Sequence, residues 1–366
     1  MSLRRFVGLG STGWATPVRT SALVKRGRPC RRESIKSSKA PSPVSWEALA
    51  SSKKTTFLLL PSFPALLERP ESSWSETLSS TARLRCSFAS SAQALESVTN
   101  WGGANPSNLK LDVYVPRNKA SNPALILALH PCGGSGQQYS QQADYSQAAE
   151  QKGFIVAYPS ATNDSNCWDV SSARALKHEG GGDPTTLNNM VKYLVGKYNV
   201  DKTKVFATGS SSGCMMTNVL MATYPDVFAA ATCYSGVAAG CLIGSPGNSP
   251  GSSDRTCANG KINKSGAEWA QIVRAMYPGY SGAYPRLMTF HGTADNLVFP
   301  ANLNEQLKEW STLLNVQFTT NSTNDPTGGY TKMVYGDGSK LIGYLAQNVG
   351  HTVPVHKDLD LKWFGL

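Results

Sequence analysis

KVFATGSSSGCMMTNVLM, residues Lys204 to Met221, is the stretch on which the fold turns. Val205-Phe206-Ala207-Thr208 is a short apolar, partly β-branched run; Gly209-Ser210-Ser211-Ser212-Gly213 follows, and then a segment rich in Met and Leu with no proline. That order reads strand, sharp turn, helix. In such a turn the central Ser of G-x-S-x-G is lifted above the sheet on a strained backbone, and small residues on both sides let strand and helix pass close together. Ser211 is therefore the candidate nucleophile. A Gly/Ser turn that merely closes a strand–helix unit has the same letters, so the residues downstream must decide.

Working outward, Pro123 to His130 and Gly153 to Pro159 are continuous apolar runs, the mark of strands buried on both faces, with a helix-like stretch from Asp144 to Lys152 between them. Leu109 to Val115 alternates apolar and polar, which predicts a half-buried strand early in the sheet. A helix is expected over Thr185–Tyr198, then the elbow strand, the elbow helix to Tyr224, and strands at Ala229–Tyr234 and Arg286–His291. A helix over Leu303–Leu314 carries Trp310 on its face, Lys340–Ala346 is a last strand, and a final helix follows. Strands alternate with helices throughout. The pattern predicts one doubly wound α/β domain from about residue 92 to 366, with a mostly parallel sheet and right-handed crossovers.

The formal charge of +11 is unevenly spread: residues 1–90 hold 15 Lys/Arg against 5 Asp/Glu, and residues 91–366 hold 20 against 19. The basic character belongs to the N-terminal part, while the patterned part is nearly neutral, which suits an uncharged substrate. Residues 1–91 are rich in Ser, Arg and Pro without sustained periodicity and are expected to be a disordered leader. Their acid-free first 32 residues fit a transit peptide, Lys53 to Leu60 fits a displaced secretory signal, and a wrongly assigned start is a third reading. Arginines without interleaved aromatics do not make a nucleic-acid surface, and no apolar stretch approaches the ~18 residues of a membrane span. Neither nucleic acid nor membrane is expected as a partner.

An α/β-hydrolase site takes its groups in the chain order Ser, Asp or Glu, then His, each on a loop after a strand. His291-Gly292-Thr293-Ala294-Asp295 presents an Asp at a strand end, and Gly350-His351-Thr352 follows the last strand. His351 would take the proton from Ser211 and return it to the leaving alcohol, while Asp295 would fix its tautomer. Of the five histidines, His130, His178 and His291 precede Asp295, and His356 falls on the first turn of the final helix, where a solvated or capping role is expected. His130 and His291 are expected to be scaffold, each ending a strand and bonded to neighbouring backbone. The oxyanion needs two donors. The backbone N–H of Ser212 supplies one, and that of Cys132, in the small-residue loop His130-Pro131-Cys132-Gly133-Gly134, the other.

LHPCGGSG, the NCWD of Asn166 to Asp169, GSSSG, YPDVF, HGTAD and VGHTVPVH together resemble the fungal acetyl xylan esterases and feruloyl esterases of carbohydrate esterase family one, relatives of the polyhydroxybutyrate depolymerases. The resemblance runs from about Val98 to Leu366. It implies an α/β-hydrolase with Ser211, Asp295 and His351 as the triad and the amides of Cys132 and Ser212 as the oxyanion hole. HPCGG and HGTADN are more similar to the acetyl xylan branch. Cys214 and Cys233 depart from the pattern, standing where small residues are expected.

Six cysteines fall in the patterned part, Cys30 and Cys86 before it. An even set fits disulfides in an oxidising compartment. The favoured pairs are Cys132 with Cys167, both at strand ends on the site face; Cys241 with Cys257, closing a Gly/Ser/Pro loop; and Cys214 with Cys233, tying the elbow helix to the next strand. No Cys-x-x-Cys or paired-His spacing marks a metal site, and no cofactor is expected. Asn163, Asn263 and Asn321 lie in N-x-S/T sequons placed in polar loops. The expected protein is a secreted, monomeric serine esterase that removes acetyl groups from xylan, with no polysaccharide-binding module after the last helix. A feruloyl esterase is its nearest rival, and a catalytically dead carbohydrate-binding protein on the same fold a more distant one.

Overall fold

The computed structural model describes residues 93–366; the expected leader, with Cys30 and Cys86, lies outside the described residues. The elements in chain order are β1 (Glu96–Val98), β2 (Lys110–Tyr114), β3 (Leu125–Leu129), α1 (Gly136–Ala143), α2 (Ser146–Lys152), β4 (Ile155–Ser160), α3 (Asp183–Tyr198), β5 (Val205–Ser210), α4 (Ser212–Thr223) and β6 (Ala230–Tyr234). Then follow α5 (Arg255–Ala258), α6 (Gly266–Met276), β7 (Arg286–Gly292), α7 (Ala301–Leu313), β8 (Phe318–Thr323), β9 (Tyr330–Tyr335), β10 (Leu341–Ala346) and α8 (Lys357–Phe364).

The strands form one sheet in the order β1-β2-β4-β3-β5-β6-β7-β10-β9-β8. Its centre, from β4 to β10, is parallel, and antiparallel strands close both edges. Every residue of β3, β4, β5 and β6 is buried, because helices cover both faces. All twelve residues of α4 are buried too, which is why the elbow helix is apolar nearly all round rather than striped. Its one amide is satisfied inside: Asn218 Nδ2 donates to Gln306 Oε1 at 2.9 Å and to Val237 O at 2.8 Å, and its Oδ1 accepts from Trp310 Nε1 at 2.9 Å. This network ties α4 and α7 to the loop after β6. On the other side of the sheet α8 stacks Phe364 on Phe206, with ring centroids 4.6 Å apart, which anchors the segment leading out of His351.

Several elements differ from the sequence reading. β1, β8 and β9 add antiparallel edges, and α1, α5 and α6 fill stretches to which the sequence pattern assigns no element. Five of the six residues of β8 are exposed, so no buried face impressed alternation on it. The helix expected from Asp144 begins at Ser146, since Asp144 takes a left-handed conformation with φ 47° as the C-cap of α1.

Candidate active site

β5 delivers the chain to Ser211, whose φ of 55° and ψ of −118° lie outside the regions a residue with a side chain favours. The strain is held from both sides, with Ser211 N–H donating to Tyr234 O at 2.7 Å and Met215 N–H donating back to Ser211 O at 3.0 Å. The two flanking glycines are required by contact. A Cβ on Gly209 would lie 2.4 Å from the Gly213 carbonyl, and one on Gly213 would lie 2.1 Å from Leu129 O.

Two loops meet the elbow. The turn after β7 carries Asp295 and the loop after β10 carries His351, and they clasp each other through Thr293 N–H to Ala346 O at 2.9 Å and Ala294 N–H to Val349 O at 2.9 Å. His351 Nε2 lies 2.8 Å from Ser211 Oγ, and His351 Nδ1 lies 2.8 Å from Asp295 Oδ2. An ionised carboxylate only accepts, so the hydrogen sits on Nδ1 and Nε2 is left to accept from the Ser211 hydroxyl. Asp295 is fully buried, and its Oδ1 accepts the N–H groups of Leu297 and Val298, both at 2.9 Å. Burial pushes this carboxyl up, but hydrogen bonds from His291, His351 and the Val298 N–H outweigh it and hold it well below the usual carboxylate range.

Cys132 and Ser212 border the same cavity as Ser211, and the backbone N–H of neither is used in the hydrogen-bond pattern of the described residues. The Cys132 loop is braced on every side. Cys132 is disulfide-bonded to Cys167, Gly133 N–H donates to Ser165 O at 2.9 Å, and Trp168 Nε1 donates to His130 O at 2.9 Å. His130 itself donates from Nδ1 to Pro131 O at 2.7 Å and accepts Ala161 N–H on Nε2 at 3.0 Å. Burial holds its pKa down against the pull of the Pro131 bond.

The cavity beside Ser211 has a volume of about 30 Å³ and is walled by Met215, Val237, Leu242, Ala258, Leu297 and Val298. An apolar cavity that binds benzene measures about 150 Å³, so this space suits a much smaller group. Cys241 bonded to Cys257 closes the outer loop of this wall, and Cys214 bonded to Cys233 joins the elbow helix to β6. Arg255 donates to Leu297 O at 3.0 Å, tying that loop to the turn of Asp295.

Of the remaining histidines, His178 stacks on Tyr277 with centroids 3.6 Å apart and bonds Thr223 O at 2.6 Å, as part of the scaffold. His356 is not solvated as expected. It precedes α8 without capping it through its side chain, and its ring packs on Phe290 and Tyr330. His291 departs furthest from its expected scaffold role, because its Nε2 approaches Asp295 Oδ2 as well as Val298 O. The HGTAD string hinted at this only through the spacing of His and Asp four residues apart across a turn. All three sequons are exposed, but Asn321 lies in β8 rather than in a loop. Among the described residues no group of His, Cys, Asp or Glu could hold a metal ion.

A mostly parallel sheet, a strained Ser between β5 and α4, and an Asp and a His brought to it from the ends of β7 and β10 define an α/β-hydrolase fold. The chain belongs to the esterase PHB depolymerase family, whose model matches residues 109–323, and it is a carboxylic ester hydrolase. It is 50% identical over 275 residues to feruloyl esterase B of Talaromyces stipitatus, covering 75% of this chain and 76% of that one. It is 45% identical over 275 residues to acetylxylan esterase A of Aspergillus awamori, covering 74% of this chain and 89% of that one. Among solved structures, the acetyl xylan esterase from Aspergillus awamori superposes with a TM-score of 0.70 at 44% identity, covering 75% of this chain and 99% of that one.

Proposed function

We propose that the protein is a secreted serine esterase that removes acetyl groups from xylan through an acyl-enzyme. Ser211 attacks the ester carbonyl as His351 Nε2 takes its proton, and Asp295 stabilises the imidazolium that forms. The developing oxyanion is received by the N–H groups of Cys132 and Ser212. Collapse returns the proton from His351 to the sugar oxygen; water, activated by the same imidazole, then releases acetate. The 2.8 Å contacts on both sides of His351 support these roles. The catalytic domain is taken as residues 92–366, with 1–91 as a leader outside it. The three disulfides among the described residues support an oxidising, extracellular destination, and the exposed Asn163, Asn263 and Asn321 fit glycan acceptors. We take the enzyme to act as a monomer.

The observation that carries the acyl preference is the apolar cavity of about 30 Å³ at Ser211. Its size suits a methyl group better than a substituted aromatic ring. A feruloyl ester remains the second reading, on the strength of the 50% identity to a feruloyl esterase B. Acetylated xylan and methyl ferulate given side by side to the purified enzyme separate the two. Acetate release with ferulate release at least about a hundredfold slower is expected, because a ring that fits the cavity poorly loses much of its binding energy. The reverse ratio contradicts the acetyl preference.

A further inference from the structure

A second cleft opens on the opposite side of the Cys132 loop from the acyl cavity. Lys110 and Asp112 stand two apart in β2 and so share one face of the sheet, and Lys110 is paired with Ser160 in the antiparallel ladder to β4. With Gln137, Thr162 and Asn166 they line a cleft of about 360 Å³. That volume lies within the ~300–1,000 Å³ of small-molecule sites. Alternation had marked Lys110 and Asp112 for solvent, yet Asp112 is only 7% exposed. Its Oδ1 accepts from Ser97 Oγ, and its Oδ2 has no bond among the described residues. A carboxylate so deep is normally paired. This one has a free oxygen and lines the cleft.

Sheet order places the cleft. From β5 the strands run β3, β4, β2. With neighbours ~4.8 Å apart, the end of β4 lies about 10 Å and the start of β2 about 14 Å from the elbow. The acyl cavity lies on the other side, against the residues after β6 and β7. An ester bound at Ser211 would thus put its acyl part to one side and its alcohol part toward the cleft. The intervening wall is the oxyanion loop itself, joined to the cleft by Asn166 Nδ2 donating to Gly134 O at 3.2 Å and by the Cys132–Cys167 bond. Gly136 N–H, donating to Ser160 Oγ at 2.8 Å, closes the floor.

We propose that this cleft is a sugar subsite, holding a pyranose ring of the polysaccharide backbone a short run of rings away from the one whose acetyl ester is cut. A carboxylate accepts from vicinal hydroxyls, while the ammonium of Lys110 and the amides of Gln137 and Asn166 donate to ring and hydroxyl oxygens. The lining carries one positive and one negative group, so it matches a neutral polyol and not a phosphate or a carboxylate ligand. The inference rests on the reading of the substrate as acetylated xylan.

The test compares kcat/KM for acetylated xylo-oligosaccharides with kcat/KM for 4-nitrophenyl acetate, which ends before the cleft. Asp112→Asn keeps the shape and the Ser97 contact, and Lys110→Ala changes an exposed side chain. Each should lower the oligosaccharide-to-small-ester ratio about tenfold, mainly through KM, as loss of one charge-assisted hydrogen bond does. Lys202→Ala, in the turn before β5 at the opposite end of the strands, should leave the ratio as it is. An unchanged ratio in both cleft variants, with wild type still deacetylating the oligosaccharides, overturns the subsite alone. A wild type that cleaves 4-nitrophenyl acetate but no acetylated oligosaccharide overturns the substrate reading and the subsite together.

Discussion

His291 Nε2 lies 3.2 Å from Asp295 Oδ2, across the turn that carries the carboxylate. The same nitrogen is 2.8 Å from Val298 O, so between two acceptors it must bear the hydrogen. Asp295 thereby accepts hydrogen bonds from His351 Nδ1 on Oδ2 and from two backbone N–H groups on Oδ1, and Oδ2 also takes a share of the His291 hydrogen, which points mainly at the nearer Val298 O. The carboxylate that orients His351 is itself oriented by a second histidine.

That arrangement makes His291 a positioning residue. His291→Ala should lower kcat on the order of tenfold with KM little changed, far short of the roughly 10⁴-fold loss expected for Asp295→Asn. His291→Gln, which can return an N–H, should recover most of it. Asp295 also links the pair to acid stability. A depressed carboxyl contributes stability above its ordinary pKa of about 4 and loses it as the pH falls further. The variant should therefore be less stable than wild type at pH 7, with the gap closing below pH ~4. Denaturant melts across pH, read beside the kinetics, check both halves.

The Cys132–Cys167 bond closes a loop of 35 residues. Chain entropy sets its worth at about 3–4 kcal/mol. Cys167→Ser should cost stability of that order and should also lower turnover, since the Cys132 amide is then less firmly held. The turnover loss should stay below the roughly hundred- to thousandfold that follows outright removal of an oxyanion donor. Cys132→Ala should match it, and the double variant should be no worse than either single one. Additive losses would separate the disulfide from the oxyanion hole.

Asp360 of α8 is buried between Tyr145 and Tyr234, whose hydroxyls donate to it at 2.5 and 2.7 Å. Burial raises its pKa to about 6, against the lowering effect of hydrogen bonds from Tyr145, Tyr234 and Thr232. The folded state binds this proton more tightly than the unfolded chain does, so its contribution falls as the pH rises from about 4 to about 6. Asp360→Asn removes that slope. Relative to wild type the variant should gain about 2–3 kcal/mol between pH 4 and pH 6, whatever its constant offset. Paired urea titrations at the two pH values measure the difference, and equal offsets at both would place the Asp360 pKa near its ordinary value.

The centre of this fold was legible because burial on both faces leaves uninterrupted apolar runs, as in Leu125–Leu129 and Ile155–Ser160. The edges were not. β8 is exposed along most of its length, and its pairing with β9 depends on backbone hydrogen bonds that leave no side-chain pattern. α6 does carry a sequence signal, the Ser265 and Glu268 that form a capping box at its start. At the site, chain order and local strings indicated Ser211, Asp295, His351 and the two amides. His291 and the burial of Asp112 could not be read, since each depends on what a distant or turned segment places beside it.

The central claim is that Ser211 is the atom acylated, with His351 drawing off its proton. Incubating the enzyme with a fluorophosphonate ester and mapping the adduct by peptide mass spectrometry tests it directly. One label per chain is expected, on Ser211, with esterase activity lost in proportion and with His351→Ala labelled far more slowly. Inactivation with the label on another residue, or full activity in a protein labelled at Ser211, would contradict the account.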